Sequence, residues 1–118
     1  MKHAVVFIDH KEARLYFPDG TSEPEGRVLL DHGHAPKDGH RQPLDRHAVT
    51  SLCERLKNAE EILIVGPGSA KNELKSWLQE HHAETDARVV GVVAVDHPTP
   101  GELKKLALAT FRRIDAWL

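Results

Sequence analysis

Three short runs of apolar, mostly β-branched residues constrain this chain most: Ala4-Val5-Val6-Phe7-Ile8, Glu61 to Val65, and Val89 to Val95. Runs of this length with few polar interruptions read as buried strands. Helical periodicity separates them. Leu44, Ala48, Leu52 and Leu56 recur every four residues and predict an amphipathic helix through about Asn58. Ala70, Leu74, Trp77 and Leu78 predict a second helix, entered through Gly66-Pro67-Gly68 with Ser69 placed as its cap. Thr99-Pro100-Gly101-Glu102 opens a third, with a Thr cap, Pro at the first helical position and Glu three residues after the cap. Leu103, Leu106, Ala107, Thr110, Ile114 and Trp117 form its predicted inner face.

Between the first two apolar runs the period shortens to two. Ala13, Leu15 and Phe17 alternate with Arg14 and Tyr16, the pattern of a strand with one face more exposed. Pro18-Asp19-Gly20 is a turn signal, and Val28-Leu29-Leu30 reads as another short strand, so this part predicts an antiparallel meander. The element order is β-β-β-α-β-α-β-α. Strands separated by helices imply parallel pairing through right-handed crossovers. The expected fold is α/β, a mixed five-stranded sheet with helices packed on it, in the order of the ribonuclease H-like fold.

The 118 residues are 40% hydrophobic and 29% charged, which predicts one globular domain over residues 1–118. With 16 basic and 18 acidic residues the net charge is −2, against a strongly basic nucleic-acid binder but not against a local basic patch. The lone cysteine, Cys53, excludes a disulfide framework and a multi-cysteine zinc site, and reads as a core or near-core thiol. No apolar run approaches the roughly 18 residues that span a bilayer. The opening MKHAVVFIDH meets charge too soon for a signal peptide, so a cytoplasmic location is expected.

Candidate chemistry collects at strand ends. Asp9-His10 and Asp96-His97 repeat one dipeptide after two apolar runs, and the third run ends in the Gly-Pro-Gly turn. Were these strands parallel at the sheet centre, the three ends would share the edge where open α/β sheets bind ligands. Asp9, His10, Asp96 and His97 are thus the candidates for a divalent-metal or phosphate site. Gly66, Gly68 and Ser69 are candidates for an anion-binding turn, because free N–H groups lie at a helix start. The plainer alternative is that Asp9 and Asp96 stop their strands through Asx-type turns. A ribonuclease H-type two-metal site would need several converging acids. Asp9 and Glu54 fit two positions, but Gly66 stands where another acid would be required.

The segment Asp31–Pro43 is the longest irregular stretch after the meander. His32 and His34 are weak metal-ligand candidates, belonging to nine histidines in the chain. Lys37, His40, Arg41, Gln42 and the following Arg46 could touch phosphates, which need only positive charge and N–H donors.

The stretch Ile62-Leu63-Ile64-Val65-Gly66-Pro67-Gly68-Ser69-Ala70-Lys71-Asn72-Glu73-Leu74 resembles the central domain of archaeal and eukaryotic peptide-chain release factors and Pelota-type ribosome-rescue factors, with its strand, Pro-Gly turn and Lys-x-Glu helix start. Val89–Asp96, the helix from Glu102, and Ala4–Leu15 as a first hairpin fit the same template, so the resemblance covers nearly the whole chain. The chain is also similar to small bacterial proteins described as translational-machinery or release-factor-like. The resemblance implies a ribonuclease H-like sheet and a ribosome or tRNA partner. It also places a Gly-Gly-Gln motif in the loop before the first helix. Here that loop reads Gly39-His40-Arg41-Gln42-Pro43: Gln42 is in the right region, but His40 and Arg41 replace the glycines whose backbone freedom the motif needs.

The reading that follows is a non-catalytic binding module of the translation machinery, without a resident cofactor. A metal-dependent nuclease or phosphoesterase using Asp9 and Asp96 is the alternative. A homo-oligomer through apolar helix faces is compatible with the first, given Trp117 and Leu118 at the end of the chain.

Overall fold

β1 (His3–Ile8) is buried from Ala4 onward and forms the middle of the sheet in the computed structural model, which describes residues 3–18, 26–29 and 45–116. β2 (Glu12–Tyr16) returns antiparallel beside it, with Leu15 opposite Val6 and Ala13 opposite Ile8, and β3 (Gly26–Leu29) continues the meander. On its other side β1 pairs in parallel with β4 (Glu61–Gly66), Val5 facing Leu63 and Val6 facing Ile64. β4 pairs in parallel with β5 (Val89–Ala94), giving the order β3-β2-β1-β4-β5.

The placement of β5 corrects one expectation. Only two of the three apolar runs, β1 and β4, are central; β5 is an edge strand, half-buried to Val93 and exposed at Ala94. An apolar run reports that the faces of a strand are covered, and says nothing about whether both hydrogen-bonding edges are paired.

Helices cover both faces. α1 (Arg46–Arg55) and α2 (Ala70–His81) lie on one side, where Val49, Leu52, Leu74 and Leu78 join Val6, Ile8, Ile62 and Ile64 in one core. α4 (Pro100–Asp115) lies on the other, packing Leu103, Ala107 and Phe111 against Val5, Phe7, Leu63 and Val65. Alternate residues of the two central strands thus feed different cores, as a pleated strand requires. The buried stripe of α4 differs from the predicted one. Leu106, Thr110 and Ile114 are half-buried at its margin, while Phe111 completes an i, i+4, i+8 line. Trp117 and Leu118 lie outside the described residues.

Caps fix the helix ends. The Asp45 carboxylate accepts from the His47 N–H at 2.9 Å and starts α1. At the other end of α1, the Arg88 guanidinium donates to the carbonyls of Leu56 at 2.7 Å and Ala59 at 2.6 Å, a cation where a helix C-terminus favours one. A short helix that the periodicity did not foresee, α3 (Ala83–Asp86), follows α2; it is a single turn, too short to show a period. Lys75 on α2 reaches Asp86 at 2.5 Å and ties the two together. Among the described residues no helix is long and apolar enough to cross a membrane.

Candidate binding cleft

Because β1, β4 and β5 run parallel, their C-terminal ends share one rim. The backbones approach closely there. A Cβ on Gly66 would collide with the Ile8 carbonyl oxygen, which is why β4 ends in glycine, and the Val95 N–H donates to the Gly66 carbonyl at 3.2 Å. Gly68 takes the left-handed backbone at φ +62°, and the Lys71 ammonium donates to its carbonyl. Tight strand-to-helix geometry thus accounts for both glycines. Ser69 stands at the cap position of α2, but its side chain makes no capping bond; it adopts a helical φ/ψ and donates its hydroxyl to Glu73 Oε1 at 3.3 Å. The carboxylate of Glu73 in the first turn already supplies negative charge at this helix start.

Beside the turn, β1, β2 and the segment before α4 enclose a cleft of about 170 Å³. Phe7 and Leu103 form its apolar floor, and Asp9, Glu12, Arg14, Tyr16, His97 and Pro98 line the rest. Ligand pockets for drug-sized molecules run to roughly 300–1,000 Å³, so this cleft suits a single side chain or a phosphate-sized group. Glu12, Arg14 and Tyr16 alternate along β2 and so project from one face. Arg14 Nε donates to Glu12 Oε1 at 2.9 Å, and hydrogen bonding to Tyr16 first and Glu12 second pushes the guanidinium pKa above its ordinary value.

Of the four strand-end candidates, the cleft brings together two. Asp9 lines it, but its Oδ1 accepts from the N–H groups of Lys11 at 2.8 Å and Glu12 at 2.9 Å, so this oxygen shapes the β1–β2 turn. His97 also lines it, its ring centroid 6.4 Å from that of Phe7. His10 is exposed and sits over the Gly-Pro-Gly turn, where a Cβ on Gly68 would lie 3.8 Å from its Nε2. Asp96, with 95% of its side chain exposed, faces solvent outside the cleft lining, 3.9 Å from His97 Nε2. Glu54 is exposed on α1. Among the described residues, the group of histidine and carboxylate ligands close enough to share one ion is His3, Glu61 and Asp115, at the opposite end of the sheet.

Arg46 is the exposed first residue of α1; Lys37, His40, Arg41 and Gln42, with His32 and His34, lie outside the described residues. Cys53 is half-buried against the core; burial pushes its thiol pKa up, with Thr85 and Arg88 opposing, so it behaves as a packing thiol. Sequence reasoning missed Glu12, Arg14 and Tyr16 as cleft residues. The signal was present as their period-two spacing on the more exposed face of β2, but only the fold shows that His97 lines the same cleft.

No protein-family model and no curated protein matches the sequence. Solved structures do match its fold. Archaeoglobus fulgidus Pelota is 14% identical with a TM-score of 0.61 over 95% of this chain and 31% of its own. The archaeal translation termination factor aRF1 is 9% identical with a TM-score of 0.58, covering 98% of this chain and 39% of its own. Saccharomyces cerevisiae Dom34, a translation termination-like factor involved in RNA quality control pathways, is 11% identical with a TM-score of 0.52, covering 87% of this chain and 31% of its own. The chain therefore has the fold of a release-factor-like, Pelota-type domain. It spans about a third of the length of these proteins.

Proposed function

We propose that this chain is a non-catalytic binding module of the translation machinery, engaging the ribosome or tRNA. The observation that carries the reading is the fold shared with Pelota, Dom34 and aRF1 along 87–98% of the chain. We read the sheet as ribonuclease H-like, supported by an antiparallel meander feeding two parallel strands. Gly39-His40-Arg41-Gln42 departs from Gly-Gly-Gln at both residues whose backbone freedom hydrolysis of peptidyl-tRNA would require, which favours binding over catalysis. The contact surface we assign is the basic segment with Lys37, His40, Arg41, Gln42 and Arg46, where charge and N–H donors suit phosphates.

Co-sedimentation with ribosomes tests this at moderate salt. Wild type is expected in the pellet, with a fraction that falls as salt rises, because phosphate contacts release counterions. A Lys37→Ala, Arg41→Ala, Arg46→Ala triple variant is expected to pellet several-fold less. Wild type remaining in the supernatant at every salt concentration would remove the reading, whereas equal pelleting of both proteins would remove only the assigned surface.

A further inference from the structure

The end of the sheet opposite the cleft gathers three side chains from three elements. His3 opens β1, Glu61 opens β4, and Asp115 closes α4. His3 Nε2 lies 3.1 Å from Glu61 Oε1 and 3.3 Å from Asp115 Oδ2, and one ligand atom from each residue falls within 4.8 Å of the others. Glu61 is 7% exposed. The other Asp115 oxygen, Oδ1, is buried with no hydrogen-bond partner.

Hydrogen bonding alone balances this group poorly. Nε2 carries at most one N–H, which cannot serve two carboxylates equally. Two carboxylates beside one imidazole also bring like charge together around Glu61, whose side chain is 9% exposed, and a cation relieves that repulsion. The donor set, one imidazole nitrogen and two carboxylate oxygens, is one that zinc accepts. Tetrahedral zinc, with bonds of about 2.0–2.2 Å, separates neighbouring donor atoms by roughly 3.3–3.6 Å, close to the two separations of His3 Nε2 from the carboxylates, 3.1 and 3.3 Å. The His3 ring is also held in place, its centroid 4.2 Å from that of Phe111.

We propose that His3, Glu61 and Asp115 form a binding site for a zinc-class divalent cation. The three residues supply three ligands, and water completes the shell of a four-coordinate ion. Such an ion fastens the last residue of α4 to the first residues of β1 and β4. The site is independent of ribosome binding and lies away from the cleft.

The test titrates the full chain with Zn²⁺ alone by calorimetry, after chelator treatment, in a His32→Ala, His34→Ala, His40→Ala background that removes competing histidines. One equivalent is expected to bind, with a rise in melting temperature. Asp115→Asn, which preserves shape, is expected to lower the affinity at least tenfold and abolish that rise. Unchanged affinity in Asp115→Asn would overturn the site. In wild type, the ring-nitrogen NMR resonances of His3 are expected to shift on adding Zn²⁺. Resonances unmoved at saturating Zn²⁺ would overturn the proposal in favour of a protonated imidazolium bridging the carboxylates, and this measurement decides alone if the variant does not fold.

Discussion

Gly66 ends a central strand where the chain must leave the sheet, and the Ile8 carbonyl occupies the space a side chain would take. The obstacle is backbone, which cannot swing aside as a flexible side chain would. Gly66→Ala is therefore expected to destabilise the fold by about 3 kcal/mol or more, at or above the top of the usual overpacking range, measured by urea unfolding. The neighbouring Asp9 shows a different economy: its Oδ1 holds two backbone N–H groups in the β1–β2 turn while the residue also lines the cleft. A carboxylate at a strand end is thus explained by local hydrogen bonding before any catalytic role is needed.

Among the elements, α4 has the most complete local code. Thr99 Oγ1 accepts from the Glu102 N–H and Glu102 Oε1 accepts from the Thr99 N–H, both at 3.1 Å, forming a reciprocal capping box with Pro100 at the helix start. Thr99→Ala is expected to cost about 1 kcal/mol of stability. The Thr99 N–H first, and the Thr99 hydroxyl second, act on the Glu102 carboxyl and hold it below its ordinary pKa. A carboxyl depressed in the folded state stabilises the protein above its unfolded value and loses that contribution as pH falls through the folded one. Wild type is therefore expected to melt above Glu102→Ala at neutral pH, with the gap closing as pH drops below roughly 4. The α2 cap fared differently: Ser69 is a good capping residue by type, yet its hydroxyl turns to Glu73.

At the scale of the molecule, one sheet separates two cores, and among the described residues α4 is the helix that closes the second of them. Phe111, 2% exposed, anchors that closure. Phe111→Ala is expected to destabilise by about 3–5 kcal/mol in urea unfolding. Leu108→Ala, on the 36% exposed Leu108 of the same helix, is expected to stay within about 0.5 kcal/mol. Periodicity alone placed Leu103 and Ala107 on the inner face but put Ile114 there in preference to Phe111. The two lie three residues apart, and which one faces the sheet depends on how α4 is rotated against Val5 and Leu63, a relation no local pattern contains.

The order of strands and helices apart from α3, and the α4 cap, were legible because each depends on residues within about one helical turn, or on one strand's own alternation, whereas the collision that requires glycine at position 66 comes from Ile8 on a neighbouring strand. The edge position of β5, the cleft that His97 shares with the outward face of β2, and the group at His3, Glu61 and Asp115 were decided by tertiary structure. His3 is 58 residues from Glu61 and 112 from Asp115. Groups so far apart in sequence share no local periodicity and become neighbours only when parallel strands align their ends and α4 packs back across the sheet.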